Sequence, residues 1–165
     1  MAKTKQTFAK DVSAFVEALR KKVSAQALDA ITREIAFLAL DLIRRRARSG
    51  KGVAKAGGVP RPFKKLSPRY VDYRRRNANR LSAFTTPGKS NVTFTGQMLL
   101  SMRLDKRASA SYLITFDGKR TDGKTNSEVA AHVSKSRPFL NLSKDEQERV
   151  RRAFARAFDK HVSSR

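Results

Sequence analysis

The feature that most limits what this chain can become is its charge. Thirty-seven Lys and Arg face 14 Asp and Glu, a formal net of +23 over 165 residues. A field of that size repels the chain from itself and draws polyanions to it. Compaction therefore needs substantial apolar burial. The sequence can supply it, because 39% of its residues are hydrophobic and ten are Phe, enough for one domain with a real core. The surplus cations then call for a polyanion or an acidic neighbour, with nucleic acid as first candidate and an acidic protein surface as second.

Cysteine is absent, which removes disulfides and thiolate metal sites. The start, Met1 to Lys5, leads into a mixed stretch without an apolar h-region, which predicts no signal peptide. The most apolar run, Ile35 to Ile43, is too short to cross a bilayer and contains Asp41, so no membrane partner is expected.

Hydrophobic spacing predicts an α+β fold in one domain over 1–165, with a helical pair over 8–48. In the first helix, about Phe8 to Val23, residues Phe8, Val12, Phe15, Val16, Leu19 and Val23 recur at steps of three and four. Ser24 is a candidate N-cap for a second helix to about Arg48, with Leu28, Ile31, Ile35, Leu38 and Leu42 as its seam. A basic extended loop or arm with one short helix follows over 49–92. Gly50, Gly52, Gly57, Gly58, Pro60 and Pro62 make Ser49 to Pro62 an open loop. Ser67-Pro68 reads as an N-cap and a proline at the first helical position, opening a helix to about Asn77 with Tyr70, Val71 and Tyr73 facing the interior.

The remainder, 93–165, is expected to hold a small antiparallel sheet and a closing helix. Thr95 to Met102 predicts one or two helical turns. Met102–Arg107 and Ser111–Asp117 predict strands, with Tyr112, Ile114 and Phe116 on one face. Glu128 to Ser134 is assigned to a third strand. Ser143 and Glu146 have the spacing of a capping box, and Val150, Phe154, Ala157, Phe158 and Val162 form the apolar stripe of the helix that follows.

Candidate contact residues concentrate between Arg44 and Arg80. That segment holds fourteen Lys or Arg against the single acid Asp72, a net of +13. Arg44, Arg45, Arg46, Arg48, Lys51, Lys55, Lys64, Lys65, Arg69, Arg74, Arg75, Arg76 and Arg80 are the residues expected to meet DNA phosphates or an acidic partner. Tyr70 and Tyr73 stand ready to stack on bases or sugars. No sequence-reading module is visible, so any nucleic-acid contact is expected to be to backbone and salt-sensitive. As a short exposed run, Arg74, Arg75 and Arg76 are expected to be replaceable by Ala without loss of folding.

Chemistry is harder to find. His132 and His161 lie far apart in sequence and have no Cys to join them. Asp117, Glu128 and Lys119 can be forced into a metal-dependent nuclease pattern, but turn chemistry at Asp117-Gly118 and Asp122-Gly123 explains the acids more simply. The chain is expected not to be an enzyme and to use no cofactor.

From Phe63 onward the order of motifs resembles the neck and tail-completion proteins of tailed bacteriophages, a group that includes virion morphogenesis and head–tail joining proteins. The residues that carry it are Ser67, Pro68 and Tyr70, then Thr95, Gly96, Leu99 and Ser101, then His132 after Ala130-Ala131, and finally Arg137, Pro138, Phe139 and Leu142 before the last helix. Where relatives have a glycine- and aromatic-rich stretch after His132, this chain has the short polar Val133 to Ser136. The resemblance implies a structural virion protein of the neck or upper tail, assembled in the host cytoplasm. It implies a hexameric or dodecameric ring around the DNA path. Its partners would be head-completion or connector proteins and the tail tube or tail terminator. The alternative is a non-specific basic nucleic-acid-binding protein of ribosomal or nucleoid type.

Overall fold

The structure, a computed structural model, describes residues 24–120 and 122–163. The expected first helix, Phe8 to Val23, lies outside the described residues. The fold is α+β: helices surround two small antiparallel pairs of strands.

Helix α1, Ala25–Arg48, begins where Ser24 accepts a hydrogen bond from the Ala27 amide at 3.2 Å. Its C-terminal half is the centre of the molecule. Leu40, Ile43 and Ala47 are buried with Phe63, Met98, Leu99, Met102, Ala130 and Phe139, a single cluster to which nearly every later segment contributes a side chain. Burying apolar surface at this density opposes the self-repulsion of the charge.

After α1 the chain does not swing free. Strands β1, Lys51–Gly52, and β2, Arg61–Pro62, pair antiparallel. The loop between them is stitched to the segment before the last helix. Val53 donates to the Pro138 carbonyl at 2.9 Å, Gly57 donates to Leu142 at 2.9 Å, and the Asn141 amide donates to the carbonyls of Val53 and Ala54. Val53 is 0% exposed and Phe63 7%. The open loop expected over Ser49–Pro62 and the extended arm over 49–92 are therefore corrected to a packed part of the domain. Glycine enables this packing: a Cβ on Gly52 would stand 2.2 Å from the Pro138 oxygen and 2.4 Å from the Phe63 ring.

Helix α2, Pro68–Arg76, starts as its sequence indicates, with Ser67 accepting from the Tyr70 amide and Pro68 in the first turn. A short 3₁₀ turn, Ala78–Arg80, and an irregular connector lead to α3, Gln97–Leu100. Gly96 precedes α3 with φ of 78°, a left-handed conformation that a side chain there would strain. Strands β3, Met102–Ala108, and β4, Ser111–Phe116, form a hairpin with Leu104 opposite Ile114 and Met102 opposite Phe116. Tyr112, Ile114 and Phe116 share the partly buried face, as their alternation requires.

The third strand expected over Glu128–Ser134 is corrected to helix α4, Asn126–Ser136. Thr125 and Glu128 cap each other in a complete capping box, and the apolar residues Val129, Ala130 and Val133 recur at helical steps toward the core. His132 is accordingly on an exposed helical face. The closing helix α5, Lys144–Ser163, has the expected box at its start. Ser143 donates its amide to Glu146 at 2.8 Å and accepts from the Glu146 amide at 3.2 Å. Along its described stripe Val150, Phe154, Ala157 and Phe158 are half-buried, and the two Phe rings stack 6.2 Å apart.

Candidate polyanion-binding surface

The thirteen cations singled out between Arg44 and Arg80 divide into two groups. The first is built into the fold. Arg44 donates its Nε to the Leu99 carbonyl at 2.9 Å and its Nη2 to the carbonyls of Leu100 and Met102. It thus satisfies carbonyls at the end of α3 that the short helix leaves without partners. Arg48 lays its guanidinium 4.2 Å over the Phe84 ring.

Arg46 is 7% exposed. It pairs with Glu146 and donates to the carbonyls of Phe139, at 2.7 Å, and Asn141, at 2.6 Å. Burial lowers the proton affinity of its guanidinium, and the Glu146 charge opposes that shift. Arg46 is a clasp between α1, the segment before α5 and the start of α5 itself.

Arg74 is buried more deeply, at 1% exposure. Its Nη1 donates to the Lys89 carbonyl at 2.9 Å, and its Nη2 to Thr85 Oγ1 at 2.7 Å and to the Thr93 carbonyl at 2.9 Å. The rings of Tyr70 and Phe94 flank it at 5.9 and 5.8 Å. Two expectations are corrected here. Arg46 and Arg74 do not belong to the solvent-facing cationic surface, because both are buried and their Nη donors serve acceptors inside the fold. The inward residue of α2 is Arg74, while Tyr70 and Tyr73 are each 40% exposed and stack on one another at 6.0 Å. The Arg74–Arg76 run is thus not uniformly exposed.

The second group is solvent-facing. Lys51, Lys55, Lys64, Lys65, Arg69, Arg75, Arg76 and Arg80 are exposed, joined by Arg45 at the end of α1 and by Arg61 of β2. Two of these ten have a nearby acid: Arg75 pairs with Asp72 at 2.9 Å and Arg45 with Asp41 at 2.7 Å. Both pairs are exposed and contribute little to stability. Among the described residues the others have no carboxylate partner. Lys55, Arg61, Phe63, Lys64 and Pro138 line a cleft of about 690 Å³, as does Val59, which is 76% exposed. Cationic and apolar lining residues together suit an acidic segment with an apolar residue, or a phosphate chain along the cations alone.

The acids that a metal-dependent nuclease would need have other partners. Asp117 pairs with Arg103 at 2.7 Å and accepts from the Gly118 amide at 2.8 Å, while Glu128 accepts from both the amide and hydroxyl of Thr125. Those two hydrogen bonds hold the Glu128 carboxyl below its usual range. Among the described residues no three His, Cys, Asp or Glu gather as a metal would need, and no helix is long and apolar enough to cross a membrane.

Sequence reasoning misses the two roles of arginine. The signal that separates them is faint: Arg74 falls at the position of α2 between Tyr70 and the exposed Arg75 and Arg76, where helical spacing from Val71 points inward. Two of the segments singled out in the sequence, Thr95 to Ser101 and Arg137 to Leu142, meet in the core. Leu99 and Phe139 are both 0% exposed in the central cluster, and Gly96 and Ser101 bracket α3. His132 stands apart on α4. No protein-family model, curated protein or solved structure matches the chain.

Proposed function

We propose that this chain is a structural component of the neck or upper tail of a tailed bacteriophage, joining head connector to tail in a ring around the DNA path. The observation that carries the reading is the ordered set of segments Ser67-Pro68, Thr95 to Ser101, and Arg137 to Leu142, whose Leu99 and Phe139 meet in one core beside a two-stranded hairpin and a closing helix. Against the pattern of that family stands Ala130 to His132, which is helical here. The charge supports the reading on independent grounds. An unpaired cationic face is costly in a free monomer and is neutralised beside packaged DNA or an acidic connector surface. Exposed Leu100, Leu113 and Leu140, at 62%, 47% and 39%, are apolar contacts available to neighbouring copies. Copies joined head to tail by one repeated heterologous contact close into a ring.

The test is assembly in the absence of this protein. Particles made without it should accumulate as DNA-filled heads and separate tails under the electron microscope, and adding the purified protein should join them. Normal joined particles formed without it would refute the proposal.

A second reading has its own support in the unpartnered exposed cations of the second group: a non-specific nucleic-acid-binding protein. It requires tight duplex binding by a monomer or dimer with a steep salt slope, and no ring under any condition.

A further inference from the structure

Beneath α2 lies a cavity of about 200 Å³, separate from the exposed cationic face. Three arginines from three different elements line it: Arg74 from α2, Arg120 from the loop after β4, and Arg137 at the end of α4. Thr93, itself 2% exposed, also lines it. No Asp or Glu is among the described lining residues. The nearest compensation is Asp122, on the exposed side, whose carboxylate is 3.5 Å from Arg120 Nε.

Several donors on these lining residues lack a hydrogen-bond partner. The Nε atoms of Arg74, Arg120 and Arg137 and the Thr93 hydroxyl are all buried, and none makes a hydrogen bond. The other nitrogens of Arg74 are engaged with carbonyls and a hydroxyl, so its Nε is the donor left over. Like-charged groups lining one cavity, with donors unsatisfied, are unfavourable unless an anion joins them. Burial is the main cause pulling the Arg74 guanidinium below its ordinary value, and the charge of Arg137 acts in the same direction.

We infer that this cavity is a binding site for a phosphate-class oxyanion, held by Arg74, Arg120, Arg137 and Thr93. The choice of phosphate follows from how the donors are presented. A planar carboxylate is best met by the two parallel N–H groups of one guanidinium fork. Here the donors left without a hydrogen bond are the Nε atoms of three arginines on separate elements, and one hydroxyl joins them. Several single donors from separate elements suit a tetrahedral anion. Free phosphate and the terminal phosphate of a nucleic-acid strand share this chemistry.

The site does not depend on the virion reading, and either can fail alone. The experiment is thermal unfolding of the full chain in sodium phosphate against sodium chloride at matched ionic strength. Phosphate also stabilises proteins by exclusion from their surfaces, an increment that grows without saturating and is present in every variant. A site adds a saturating increment on top of it. Wild type and the charge-matched control Arg151→Gln should show saturation with the same midpoint, while Arg137→Gln should shift that midpoint at least tenfold upward. Arg120→Gln, at a partly exposed side chain, should do the same and decides the matter if the Arg137 variant does not fold. No saturating component in wild type, or an unchanged midpoint in a folded Arg120 or Arg137 variant, would overturn the assignment. A 5′-phosphorylated tetranucleotide that displaces phosphate where its unphosphorylated counterpart does not identifies a strand end as the source, and equal failure of both identifies free phosphate.

Discussion

Two neighbours on one short helix, Arg74 and Arg75, have the same side chain and opposite fates. Arg75 is exposed and paired with an exposed Asp72, whereas Arg74 donates three hydrogen bonds inside the protein. Arg74→Ala strands the carbonyls of Lys89 and Thr93 and opens a void, a loss of roughly 3 kcal/mol. Arg75→Ala and Arg76→Ala should each stay within about 0.5 kcal/mol of wild type. Urea unfolding of the three variants separates these outcomes. The reason composition cannot foretell this lies in the residue itself: arginine carries five donors on a flat head that stacks on rings, so it suits a polar interior as well as a charged surface. Charge counting over Arg44 to Arg80 thus locates the solvent-facing Lys51, Lys55, Lys64 and Lys65 correctly and merges them with Arg46 and Arg74, which differ in neighbours rather than in type.

Elements are legible where their ends are written in side chains. Ser24, Ser67 and Ser143 each accept the amide hydrogen bond that their position promises, and α1, α2 and α5 begin there. The helix misread as a strand carries the same kind of signal, since Thr125 and Glu128 are spaced as Ser143 and Glu146 are. The run Val129, Ala130, Val133 is short enough to accept either period, and its cap decides in favour of the helix. Thr125→Ala should therefore cost about 1 kcal/mol, measured by chemical denaturation, because it leaves an amide at the start of α4 without its acceptor.

A second prediction at this scale concerns the contact of α1 with the tip of the hairpin. Asp29 accepts from Lys106 at 2.7 Å, from the Ala110 amide at 2.9 Å and from the Tyr112 hydroxyl at 3.1 Å. The Lys106 hydrogen bond, followed by that of Ala110, holds its carboxyl below the ordinary 3.8. A carboxyl lowered by folding stabilises the native state fully above its unfolded value, and that contribution disappears as pH falls through the folded one. The urea midpoint should therefore drop more steeply below pH 4 in wild type than in Asp29→Asn.

For the whole molecule the dominant quantity is again the net +23, set against a handful of mostly exposed ion pairs. Raising NaCl from about 0.1 M to about 1 M shortens the Debye length from about 10 Å to about 3 Å. Salt weakens the attractive pairs and the self-repulsion together, and the repulsion is the stronger of the two. The melting temperature should rise by several degrees over that range, and a fall would mean that the pairs outweigh the surplus. The α+β architecture and most helix starts can be read in advance, because they depend on local spacing. The packing of the basic segment cannot, because it rests on backbone hydrogen bonds from Val53 and Gly57 to residues some eighty-five positions later in the chain. The Arg46 clasp reaches further still. Its carboxylate partner is one hundred residues downstream, and a ribosome adding about 5–20 residues per second needs roughly 5–20 s to make that stretch. Until the closing helix emerges, the nascent chain holds a cation at its future centre with no counter-charge, so final closure of the domain must wait for the start of α5 to leave the exit tunnel.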